Sequence, residues 1–135
     1  VFTYTDFPCY VSQTYFVIKP RTIDIKYLTG LLNSKLIYFW LYNKGKKQGE
    51  QLQVDKAPLL EIPIFYEEGN KKIEEIKNIV EKIIELKSKT TDFSEKQLEI
   101  AQNRQKELEV KIDYLVYNLY QLEKTDIEIV DKFGE

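Results

Sequence analysis

The 135 residues are 43% hydrophobic and 13% aromatic, enough for one packed domain and too apolar for a disordered chain. The single Cys9 and the absence of histidine exclude a disulfide framework, a zinc site built from the usual ligands, and Ser-His-Asp or Cys-His catalysis. The net charge of −2 is unevenly split: residues 1–65 carry eight Lys/Arg against five Asp/Glu, residues 66–135 twelve against seventeen, so a basic surface is available in the first half only.

No apolar run approaches the roughly 18–20 residues that span a bilayer, and no signal-peptide pattern opens the chain, so a cytoplasmic protein is expected. The fold class is read as α+β. A small mixed α/β unit over residues 1–66 is followed, after the polar turn Glu67-Glu68-Gly69-Asn70, by a helical hairpin and a short closing helix over 70–133. Val1-Phe2-Thr3-Tyr4 is strand-like, and the chain is expected to start inside a larger domain.

In chain order, Tyr10–Lys19 has the β-branched and aromatic content of a strand, ended by Pro20. Thr22-Ile23-Asp24 offers an N-cap for a helix carrying Leu28, Leu31, Leu32, Leu36, Phe39 and Trp40. Gly30 and the Asn33-Ser34 pair weaken that helix in the middle and predict a kink or break there. Gly45 stops it, with Lys44 favourable against the helix dipole. Leu52–Val54 and Leu60–Phe65 read as short strands, confined by Pro58 and Pro63 to edges or ends.

The second half has clearer periodicity. Ile73, Ile76, Val80 and Ile83 form one seam; Leu98, Ala101, Gln105, Leu108, Ile112, Leu115, Leu119 and Leu122 form another, predicting antiparallel helices over about 71–89 and 95–122. Ser94 and Gln97 make a capping box between them, flanked by Phe93 and Leu98 at the positions of a hydrophobic staple. The second helix, roughly 42 Å long at 1.5 Å per residue, overhangs the first, so its free end should pack on other structure. Thr125 and Glu128 predict a second capping box opening the closing helix. Gln105 in the apolar seam is either a register-fixing contact or a residue near solvent, and the second reading is the cheaper one. Tyr114, Tyr117 and Tyr120 fall beside the Leu seam and read as docking residues. Tyr38, Phe39, Trp40 and Tyr42 occupy consecutive helical directions, which suits packing better than a platform for stacked bases.

Catalytic motifs are missing. No Asn/Asp-Pro-Pro-Tyr/Phe loop holds a flipped base, and no Gly-rich turn follows a strand. Glu75-Ile76-Lys77 matches the acidic-x-Lys triplet of magnesium nucleases by letter, but no Pro-Asp precedes it and it lies on a charged helix face. The chain is therefore not expected to be an enzyme by itself or to hold a metal or cofactor.

A recognition role is carried by the loop Lys44-Gly45-Lys46-Lys47-Gln48-Gly49 and the residues after it. The lysines can neutralise phosphates, the glycines permit close backbone approach, and Gln48, Gln51 and Gln53 carry amides able to pair with adenine in the major groove. Lys35, Lys56 and Arg21 are secondary phosphate candidates. An ordinary solvated turn is the plain alternative.

The stretch Leu31–Ile64, an apolar helix running into this loop and then into Ile62-Pro63-Ile64, resembles the C-terminal specificity domain of TaqI-like DNA adenine methyltransferases and of fused Type IIG restriction–modification enzymes. A weaker likeness is to the specificity subunits of Type I systems. The resemblance runs from Tyr15-Phe16-Val17-Ile18-Lys19 to Ile112-Asp113-Tyr114-Leu115-Val116-Tyr117. It implies a target-recognition module that grips double-stranded DNA for a methyltransferase domain elsewhere in the same polypeptide. S-adenosylmethionine, with Mg2+ as the further candidate, would belong to that catalytic part. The alternative is a structural module whose hairpin forms a homodimer or braces a partner without touching DNA.

Overall fold

The computed structural model describes residues 2–4, 17–44, 47–48, 51–52 and 56–133, with residues 47, 48, 51, 52 and 56 described through their backbone alone. Among these, six helices occur: α1 (Ile25–Leu32), α2 (Lys35–Lys44), α3 (Lys56–Leu60), α4 (Lys71–Ser88), α5 (Glu95–Leu119) and α6 (Lys124–Phe133). Two residues on each side, β1 (Lys47–Gln48) and β2 (Gln51–Leu52), pair antiparallel.

Local chemistry sets the helix ends. Asp24 caps α1 by accepting the N–H groups of Lys26 at 2.8 Å and Tyr27 at 3.3 Å. The long helix expected after it breaks at Asn33-Ser34. The buried Ser34 hydroxyl donates to the Leu31 carbonyl at 2.6 Å and accepts the Ile37 N–H at 3.4 Å, closing one helix and opening the next. Gly69, at φ 81°, adopts the left-handed backbone that a side chain disfavours, and Asn70 then caps α4 through Lys72 and Ile73 N–H. Ser94 and Gln97 form the capping box of α5.

The core lies where α1 crosses the α4–α5 hairpin. Tyr27, Leu28 and Leu31 of α1 are buried with Ile73, Ile76, Ile79 and Val80 of α4 and with Leu108, Ile112 and Val116 of α5. Each full burial of such a side chain is worth about 1.5–3 kcal/mol. Gly30 lies at the crossing itself. A Cβ built there would stand 2.9 Å from both Ile76 Cγ2 and Val80 Cγ2 and 4.0 Å from Ile112 Cδ1. This glycine is a contact point inside α1; the helix breaks three residues later.

The overhanging half of α5 packs on α2, and α6 folds back onto α2. That is why α5 buries Asp113, Val116 and Tyr117 as well as Leu108, Ile112 and Leu119. Tyr117 donates to Asp131 Oδ1 at 2.7 Å and Tyr114 to Asp131 Oδ2 at 3.4 Å, tying α5 to α6. Phe133 stacks edge-on against Phe39 and Tyr42, with centroids 5.2 and 4.6 Å away, and at a tilt against Tyr38. Gln105 is half-buried and bonds along its own helix to Glu109 at 2.9 Å.

Three expectations are corrected. The fold is all-helical rather than α+β, since the β1–β2 ladder is too short to build a layer. Lys56–Leu60, whose last residue is expected to open a strand, is helical because Pro58 falls in a first turn, where its missing N–H costs nothing. Ile62–Phe65 pairs with no strand. The Tyr27 hydroxyl donates to the Phe65 carbonyl, Tyr120 donates to the Pro63 carbonyl at 2.7 Å, and Tyr120 accepts the Phe65 N–H at 3.0 Å. Tyr27 of α1 and Tyr120, the residue that caps α5, thus take the bonds that a neighbouring strand would have supplied. Of the expected N-terminal strand, residues 10–16 lie outside the described residues, and Val17 to Lys19 are exposed with no strand pairing.

The two C-terminal boundaries also move. α5 ends at Leu119, not Leu122, because Gln121 turns left-handed at φ 54° while its N–H donates to Asn118 and that of Leu122 to Tyr117. α6 starts at Lys124, two residues before the Asp126 start that a Thr125 N-cap predicts, and in place of a Thr125–Glu128 box the Glu123 N–H donates to Asp126 Oδ2 at 3.2 Å.

Gly30→Ala is expected to destabilise the chain by about 1–3 kcal/mol, since neither Ile76 nor Val80 can retreat without disturbing the core. Gln121→Gly should stabilise it by about 1 kcal/mol by relieving the left-handed turn. Urea unfolding followed by circular dichroism checks both; a Gly30→Ala chain as stable as the parent would remove Gly30 from the crossing.

Candidate functional site

The residues expected to meet DNA fall into two groups and an outlier. Lys44 is the exposed last residue of α2; Lys47 and Gln48 form β1, Gln51 starts β2, and Lys56 opens α3, which packs back on α2. In the ladder Lys47 pairs with Leu52 and Gln48 with Gln51, so two of the three expected glutamines are direct cross-strand neighbours. Lys46 and Gln53 lie outside the described residues. Lys35 is exposed at the opposite end of α2, roughly 14 Å from Lys44 at the helical rise, and Arg21 is exposed in the bend before α1. A cluster at the C-terminal end of α2 is thus brought together, while Lys35 and Arg21 are not part of it.

Sequence reasoning missed a second site at the other end of α2. A cleft of about 680 Å3 opens beside the α1–α2 break. Val80, Ile83 and Ile84 of α4 and Ile112 of α5 form its apolar wall, and Phe2-Thr3-Tyr4 forms another side. The Asn33 amide holds that short segment as a strand neighbour would, accepting the Phe2 N–H at 2.8 Å and donating to the Phe2 carbonyl at 2.8 Å.

Asp113 lies in this cleft, only 7% exposed. Its Oδ1 accepts the Lys35 N–H at 2.9 Å, a cap on α2 from a residue 78 positions away. Burial pushes its carboxyl up to about 6 from the ordinary 3.8, and the nearby Asp131 and Glu109 charges add to this. The Lys35 N–H and the Lys35 charge oppose the rise. Among the described residues, Oδ2 takes no hydrogen bond. Among the described residues no fully buried side-chain oxygen or nitrogen lacks a partner, so Oδ2 keeps contact with solvent, and the cleft that Asp113 lines is the space beside it. The signal in the sequence was one acid directly after Ile112 of the seam, which reads as a flank until α2 is placed over it.

The other perturbed groups are structural. Burial raises the Tyr27, Tyr117 and Tyr120 hydroxyls above the ordinary phenol value, and the Asp131 carboxylate raises Tyr117 further, which keeps all three protonated as donors. Among the described residues no group of three or more metal-binding side chains occurs, and no helix is long and apolar enough to cross a membrane.

A carboxyl with a raised value binds its proton more tightly in the folded than in the unfolded chain. Its stabilising contribution is therefore present at low pH and is lost as pH rises from about 4 to about 6. The loss should be on the order of 2–3 kcal/mol. Asp113→Asn keeps an acceptor for the Lys35 N–H and has no charge to desolvate. Its unfolding free energy should lack this decline and exceed that of the parent at pH 7. Urea melts at pH 4.5 and 7 test it; an identical pH dependence in both proteins would contradict the assignment.

No protein-family model, curated protein sequence or solved structure matches the chain.

Proposed function

We propose that this chain is a DNA-binding specificity module of a restriction–modification adenine-N6 methyltransferase, cytoplasmic, positioning duplex DNA for a catalytic domain outside this chain. The observation that carries the reading is the β1–β2 ladder at the C-terminal end of α2. It pairs Gln48 with Gln51 and flanks them with Lys44, Lys47 and Lys56. A two-stranded ribbon is one of the elements that the major groove admits, and lysines beside it neutralise the phosphates that border the groove. The resemblance of Leu31–Ile64 to TaqI-like specificity domains supports the same role.

In this reading the lysines set orientation and the glutamines are the base-reading candidates. Lys35 and Arg21 lie away from this cluster and take no part in the reading. Methyl transfer, and S-adenosylmethionine with it, belongs to the catalytic domain. The competing idea, a hairpin that dimerises through its apolar seam, is disfavoured because Ile73, Ile76, Val80, Leu108 and Ile112 are already buried inside the chain.

Fluorescence anisotropy with a mixed pool of short duplexes tests the proposal. Three lysines on three phosphates should weaken binding roughly 40-fold between 50 and 200 mM salt. Lys46→Glu combined with Lys47→Glu should abolish retention while leaving the helical circular dichroism intact. Salt-insensitive binding, or full affinity in the double variant, would remove the loop from the interface.

A further inference from the structure

We propose that the cleft between α1, α4 and α5 is a binding site for a small organic cation, an amine or amidinium on an apolar body, whose N–H groups are received by Asp113 Oδ2. The cleft, at about 680 Å3, is in the size range of small-molecule sites. Its wall of Val80, Ile83, Ile84 and Ile112 suits an apolar body. The hydroxyls of Thr29 and Ser34 that line it already donate elsewhere, Thr29 to the Ile25 carbonyl at 2.8 Å and Ser34 to the Leu31 carbonyl at 2.6 Å. Among the described residues, the Asp113 Oδ2 oxygen is then an acceptor that no protein donor occupies.

The sign of the ligand follows from which charge is deep. Lys35, Lys87 and Glu109 also line the cleft, but all three are exposed, where water and salt screen them. Asp113 is the buried charge, and no ion pair neutralises it among the described residues. A capping role alone does not explain a carboxylate here, because an asparagine would accept the Lys35 N–H as well and without the cost of burying a charge. A bound cation supplies the missing partner.

Titration calorimetry of the whole chain with 2-phenylethylamine and benzamidine, against the neutral 2-phenylethanol, tests this at pH 7.5 and pH 5. The amine should bind saturably and roughly tenfold or more tighter than the alcohol at pH 7.5, as a charge-assisted bond requires. The preference should shrink at pH 5, where Asp113 is largely protonated. Among the described residues, the charged and titratable groups facing Asp113 are Lys35 of α2, Lys87 of α4, Glu109 and Tyr117 of α5, Asp131 of α6 and Tyr4; α1 contributes none. Asp113→Asn should erase the preference for the amine. Ile84→Trp, at a position 42% exposed, should block both probes without touching the core. No saturable binding, equal affinity for amine and alcohol, or an undiminished preference in the Asn variant would overturn the proposal. If the Asn variant does not fold, the Trp variant and the pH comparison decide by the same criteria.

Discussion

Everything else in this fold depends on how closely α1 can approach α4. At Gly30 there is no room for even one carbon beyond the backbone, since Ile76 and Val80 would each be 2.9 Å away. That proximity brings Tyr27, Leu28 and Leu31 into the apolar seam of the hairpin and makes one core of residues far apart in the chain. It also fixes where α1 ends relative to α5. The break at Asn33-Ser34 therefore falls beside Asp113, and α2 starts with its first N–H on a carboxylate.

From that start, α2 becomes a rigid arm. Its N-terminal end is held by Ser34 and Asp113, its flank by Phe133 of α6, and its C-terminal end delivers Lys44 and the ladder. The extended segment from Ile62 to Phe65 then runs back over the core, pinned by hydroxyls of Tyr27 and Tyr120. The two ends of α2 thus have different chemistry. One has the buried Asp113 carboxyl beside a cleft; the other ends in the exposed Lys44 and leads into the ladder that carries Lys47, Gln48 and Gln51. The proposed roles, an organic cation at the first and duplex DNA at the second, follow this division.

What the sequence made legible was what neighbours in sequence decide. The Asp24 cap, the break after Leu32, the turn at Gly69-Asn70, the Ser94–Gln97 box and the two hairpin helices all rest on contacts within a few residues. Partners distant in sequence were not legible. Ile62–Phe65 has a strand's composition, but whether it pairs with a strand or with tyrosines 38 and 55 residues away is a tertiary matter. In sequence Gly30 is only a weak point in a helix, because its meaning lies in what crosses it. Gln121 carries no sign of a left-handed turn, which glycine usually marks, so the seam extends α5 three residues too far. Of the candidate site, the lysines and glutamines were legible as residue types, and their grouping at one end of α2 only in part, since Lys35 and Arg21 lie elsewhere. Asp113 was hidden by its place beside a leucine-rich seam.

The central claim is that α2 carries duplex DNA recognition at its C-terminal end only. Amide chemical-shift mapping of the 15N-labelled chain during titration with a short duplex tests it most directly. The account expects shifts concentrated at Lys44, Lys47, Gln48, Gln51 and Lys56, with Lys35, Asp113 and the α4–α5 surface unmoved. Shifts spread over α4 and α5 with the ladder silent, or no shift anywhere at low salt, would contradict it.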